Sequence, residues 1–377
     1  MSAAALLLFV SSAFAAPVPD ARAESFSVDA RIELLGVLQE LAGVRPDLPA
    51  DPAYRKAVLG RFSRYRTHAA VPLYKELAAA PGGDGLAIAL LWCTPPPELV
   101  LRGLSTSPPY FGSEGHSFAQ VLTVLRSFAK TSRFAEFYAS RRADYARAVV
   151  AAREALGVDD PLAKVESYLG MPLESRALWL ISPLYVPMTR GAFIVPYPDP
   201  ASLPDPGEAP FEVYTVVAYA PGAKSMGANV TQLHRSALWQ EPLFVFIDPA
   251  LAAFDAELGI SPEQYYGPEV AACRRQNTDC VKSWLVGALG GRLDIAAFGA
   301  PSMGFDGSDS RREKWILALS DRLKEYEADR KRWPTLWDFL PRLLSVFPEA
   351  AGLKPAAARP HPRIGTVKQL FPGRRER

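Results

Sequence analysis

Histidine and cysteine are scarce in this chain of 377 residues, with four of the first and three of the second. No C-x-x-C pair occurs, which removes the usual cysteine-based zinc site. There is no G-x-S-x-G elbow, no P-loop and no G-x-G-x-x-G, so the common serine-hydrolase, nucleotide and dinucleotide signatures are absent. No segment is apolar for long enough to cross a bilayer. Charge is nearly balanced, at +2 net, which gives no basis for binding nucleic acid or an anionic membrane.

What is present is ordinary globular material, 49% hydrophobic and 22% charged, enough for a large core. Proline is abundant, at 35 residues, which predicts stiff loops and short helices. The opening "MSAAALLLFVSSAFA" is an apolar run ending in Ala13-Phe14-Ala15, a small-residue cleavage pattern, and Ala21-Arg22-Ala23 offers a second. Residues 1–23 are therefore read as a signal peptide, and the protein as exported, periplasmic or secreted. Export permits a disulfide. Cys273 and Cys280, at the ends of "CRRQNTDC", are the candidate pair, since that stretch reads as a short polar loop that can bring its ends together, whereas seven residues of straight helix would hold them about 10 Å apart. Cys93, in apolar "ALLWCTPPP", reads as a buried thiol.

Helical spacing dominates the chain. "DARIELLGVLQELAG" carries an apolar stripe through Ile32, Leu35, Leu38 and Leu41 and stops at Gly43. Residues 51–80 give two more helices, and "HSFAQ…EALG" reads as one long helical stretch rich in aromatics. Then the period changes. "RALWLISPLYV", "GAFIVPYP" and "FEVYTVVAYA" are short, β-branched and aromatic, and read as a small antiparallel sheet. Helices return to about residue 349, and the basic, proline-rich segment 350–377 reads as a flexible tail. The expected architecture is α+β, mostly helical, with a small central antiparallel sheet in one domain, residues 24–349.

One stretch bears on chemistry. "LWQEPLFVFIDP", Leu238 to Pro249, holds a lone carboxylate, Glu241, in an apolar segment. Zinc peptidases use H-E-x-x-H because two imidazoles four apart on a helix share a face, while the Glu takes a proton from the metal-bound water. Here Gln240 and Phe244 occupy the two histidine places. Pro242 either starts or kinks the helix. Taken alone, an apolar helix with one Glu at its edge is commonplace.

The whole chain, from about residue 28 to 348, resembles a family of exported bacterial proteins, a domain of unknown function similar to gluzincin-type zinc peptidases. Its motif is close to H-E-F-S-H-S-F-V-N-P, which "QEPLFVFIDP" matches at Glu241, Phe246 and Pro249. "RYRTHAAVPLYKEL", "LRSFAKTSRFAEFYASRRADYARAV", "VKSWLVGALGGRL" and "EYEADRKRWPTLWDFLPRLL" resemble further family segments in the same order. The resemblance implies a zincin-like fold, with zinc as the cofactor of relatives. It also implies that this chain has lost its ligands, at Gln240, Phe244 and Ser283, with Gly287 in place of an arginine. Only Glu241, a vestigial general base, survives. The implied function is an exported pseudopeptidase that holds an unidentified peptide, protein or polymer without cutting it and without a cofactor. The alternatives are a zinc peptidase with non-standard ligands, and a structural or interaction protein of the cell envelope. Replacement donors in reach of the first alternative are His234, His116, Asp248, Glu269 and Asp279. Glu114 and His116, in "YFGSEGH", are candidates for the border of a cleft. His68 reads as a structural histidine.

Overall fold

The computed structural model of the chain describes residues 25–44, 51–79, 85–101, 111, 115–173, 176–186, 192–196, 211–218, 228–258, 260–276, 280–301 and 310–353. Segment 1–23 and the tail beyond 353 lie outside these residues, as do Glu114, Asp279 and His361.

Strands β1 (Phe26–Ser27), β2 (Arg176–Ser182), β3 (Ala192–Pro196) and β4 (Phe211–Ala218) form one sheet in the order β1-β2-β4-β3. The expected antiparallel sheet is corrected here. β1, β2 and β4 run parallel, and only the edge strand β3 is antiparallel, against β4. Consecutive strands β2 and β3 do not pair, because β4 lies between them. The reason lies in burial. Ala177, Trp179, Ile181, Val213 and Val217 face one core, while Leu178, Leu180, Tyr214 and Val216 face another. A parallel sheet covered on both faces uses nearly continuous apolar runs instead of alternating ones.

Helices make the two covers. On one face lie α1 (Ala30–Ala42), α2 (Pro52–Phe62), α3 (Ala70–Ala79), α4 (Gly85–Leu91), α5 (Phe118–Thr131) and α6 (Phe134–Ser140). The other face is covered by α7 (Arg142–Leu156), α8 (Pro161–Leu169), α9 (Ala228–Glu257), α10 (Pro262–Tyr266), α11 (Pro268–Gln276), α12 (Cys280–Phe298), α13 (Ser310–Ala328), α14 (Leu336–Leu344) and α15 (Val346–Ala350). The stretch expected as one long helix is three, α5 to α7. The first break is at Arg133, whose φ of 56° is left-handed, and no glycine or proline announces it.

Helix α1 fixes the first layer to the sheet. Its apolar stripe is buried as expected, but Glu33 and Gln39 are also fully buried. Gln39 donates through Nε2 to the Val186 carbonyl (2.7 Å) and accepts from the Val186 N–H (2.9 Å). Gly36 lets the helix backbone close on this segment, since a Cβ there would lie 2.9 Å from the Tyr185 nitrogen. At the N-terminus Asp29 caps the helix through the Arg31 N–H and holds the Arg31 guanidinium in a two-pronged ion pair. Arg31 Nη1 also donates to the carbonyls of Leu91 (2.8 Å) and Cys93 (2.7 Å), tying α1 to the end of α4. Burial raises the Asp29 carboxyl, but the adjacent Arg31 charge and hydrogen bonds outweigh it and hold it below the usual range.

On the second face α9 runs from Ala228 to Glu257 with Pro242 and Pro249 inside it, so the helix does not start at Pro242. It packs against β3, β4 and α12. The end of α8 shows how tightly this layer is built. Gly170 caps it at φ 73°, and its N–H reaches the Glu166 carbonyl (2.8 Å). A Cβ there would lie 2.1 Å from the Pro334 carbonyl oxygen. Gly170→Ala therefore combines a left-handed alanine with a backbone clash, and is expected to cost about 2 kcal/mol or more, read as a lower midpoint in urea unfolding.

Candidate functional site

The three positions singled out by the family resemblance lie on α9 and α12, which pack together. Gln240 lines a cavity of about 140 Å³ between α9, α12 and α13, walled by Gly287, Gly290, Gly291, Ile295 and Ile316 among others. Phe244, one turn later on α9, is half-buried and packs against the core. Ser283, also half-buried, lies on α12 one turn before Gly287. Glu241 and His234 are on α9, but their side chains lie outside the described residues. Beneath the cavity Asp294 is 2% exposed and accepts from Trp239 Nε1 at 2.7 Å.

This donor set does not fit zinc. Zinc takes imidazole, thiolate or carboxylate ligands, and these three positions offer an amide, a phenyl ring and a hydroxyl. Among the described residues no group of three or more His, Cys, Asp or Glu side chains could hold a metal ion. Three replacement donors whose side chains are described are engaged elsewhere. Asp248 pairs with Lys282 (2.9 Å) and Glu269 with Lys314 (3.0 Å). His116, at the start of α5, meets Glu76 on α3 at 3.2 Å, in the opposite helical layer. His68 accepts from the Ala70 N–H (3.1 Å) and stands edge-on to Phe128, as expected of a structural histidine; burial lowers its pKa.

Cys273 on α11 and Cys280 at the start of α12 come together as their spacing implies, but as free thiols in hydrogen-bond contact. Burial, with Cys273 alongside, pushes the Cys280 thiol up to about 12, so it stays protonated and unreactive near neutral pH. Cys93 is buried, with its thiol 3.8 Å from the Ala89 carbonyl.

A second polar constellation was not visible in the sequence. Glu33 is fully buried between α1 and the end of β2. Ser182 Oγ donates to its Oε1 and Tyr54 Oη to its Oε2 (2.7 Å). Tyr54 and Tyr145 share a further hydroxyl–hydroxyl bond of 2.8 Å. Tyr145 lines a cavity of about 1050 Å³ with Ser25–Val28, Tyr138, Arg142, Arg153 and Asp160. Among the described residues no cation pairs with Glu33. Burial pushes its carboxyl up to about 7, against the two hydrogen bonds, with the Asp29 charge adding to the rise. Only its polar identity in a helix of otherwise apolar spacing could have marked it, and that identity also suits a solvent-facing position.

No protein-family model, no curated protein and no solved structure matches the chain.

The Glu33 shift has a signed consequence for stability. The folded chain holds this proton more tightly than the unfolded one, so stability is full below pH 4.5 and is lost as pH rises towards about 7. At about 1.4 kcal/mol per unit the loss is about 3 kcal/mol. Glu33→Gln should remove this pH dependence between pH 4.5 and 7, measured by urea unfolding at a series of pH values.

Proposed function

We propose that the chain is an exported, gluzincin-like pseudopeptidase that holds an apolar group of a peptide or protein at the Gln240 cavity and does not cut it. The observation that carries this reading is the pairing of Gln240 with three glycines around an apolar hollow, where relatives of the resembled family would place ligands. Cavities of about 150 Å³ with apolar walls take up one benzene-sized group, and this one has that size. Gln240 and Ser320 supply polar atoms at its margin for a peptide backbone. Phe244, half-buried, packs against the core, which suits a position turned from ligation to packing.

The test uses fluorescent peptides that differ only in one residue, Phe, Leu or Gly. The Phe and Leu peptides should bind and be recovered intact, and the Gly peptide should bind at least tenfold more weakly. A Cβ on Gly291 meets no atom within 4 Å, so Gly291→Phe enters open space and should abolish binding without unfolding the helix. Cleavage of the peptides in zinc-containing buffer would favour a peptidase with non-standard ligands, and would contradict the proposal.

A further inference from the structure

The hydrogen bonds around Glu33 have a fixed polarity. Ser182 Oγ accepts from the Tyr185 N–H (2.7 Å) and the Leu184 N–H (3.3 Å), which occupies both lone pairs, so its one proton goes to Glu33 Oε1. Only Oε2, facing Tyr54, can change role. When Glu33 is ionised, Tyr54 donates to it, and Tyr145 donates to Tyr54. When Glu33 is protonated, Oε2 donates to Tyr54, Tyr54 to Tyr145, and the Tyr145 proton is left free to serve a group outside this network. The Tyr145 hydroxyl therefore switches between acceptor and donor with the charge on a carboxyl two hydrogen bonds away.

The surroundings leave that switch undisturbed. The ring of Tyr138 of α6 lies tilted against Tyr145, with centroids 4.8 Å apart, and its own proton goes to the Val28 carbonyl (2.6 Å). Asp29 and Arg31, at the start of α1, are paired with each other. Burial and the Glu33 carboxylate raise the phenols of Tyr54 and Tyr145, so both remain protonated and can relay but not hold a charge. Around the cavity, Arg153 pairs with Asp159 (3.1 Å), and Asp160 accepts from the Ala163 N–H (3.0 Å). Arg141 pairs with Asp144 (3.5 Å). Among the described residues Arg142, on the cavity wall, has no ion-pair partner.

We infer that this cavity, on the first turns of α7 beside β1, is a binding site for a small organic carboxylate, held by Arg142 and the Tyr145 hydroxyl, and that its binding is coupled to proton uptake by Glu33. A carboxylate accepts hydrogen bonds and cannot donate them, so it selects the state in which Tyr145 donates outward. The volume suits a small-molecule site. This site is separate from the Gln240 cavity and does not depend on its role.

Calorimetric titration of the full chain with benzoate and with citrate, from pH 6 to 9, tests the coupling. Binding should weaken about tenfold per pH unit above pH 7 and should take up a proton, seen as a heat that changes with the buffer's ionisation enthalpy. Glu33→Gln keeps an acceptor for Ser182 and donates permanently to Tyr54, so it should bind with no pH dependence. Tyr145→Phe should lose both the affinity and the proton uptake. Affinity independent of pH in the unaltered chain overturns the coupling, and absence of binding by both anions overturns the carboxylate site.

Discussion

One stripe of α1 sets the geometry of the molecule. Glu33 meets Ser182, Gly36 meets Leu184 and Tyr185, and Gln39 meets both backbone groups of Val186. These positions are three apart on the helix, and they dock it on the segment that leaves β2. Neutral hydrogen bonds contribute about 1 kcal/mol each when made and cost more when one buried partner is lost, so the register between α1 and the sheet is closely specified. With α1 fixed, the N-terminal helices cover one face of the sheet. The C-terminal helices are left to cover the other.

This constraint explains which parts of the fold were legible. Helices with apolar stripes and clear ends, such as α1 between Asp29 and Gly43, are marked by periodicity and caps. The strands were visible too, but their direction was not. A run such as "RALWLIS" is apolar on both sides because two cores press on it, and direction follows only from which strands become neighbours. Phe26 and Ser27 form too short a strand to announce themselves. The break at Arg133 carries no turn residue.

Two polar sites emerge with opposite visibility. The Gln240 cavity was approached through a motif: Gln240 lines the hollow and Phe244, one turn later, rests half-buried against the core. Glu33 was hidden because an isolated Glu in a helix normally faces water. Its partners, Tyr54, Tyr145 and Ser182, come from three distant parts of the chain, and no local spacing joins them. A buried carboxyl without a cation is retained here by hydroxyls, which satisfy it without neutralising it.

The proposed role of the motif region requires no metal. Zinc stoichiometry tests it most directly, measured by plasma mass spectrometry on protein purified without chelator or affinity metal, with Glu241→Gln alongside. The expected result is zinc well below one equivalent, not recovered after adding Zn²⁺ and washing, and the same for the variant. Zinc near one equivalent, lowered in the variant, would contradict it.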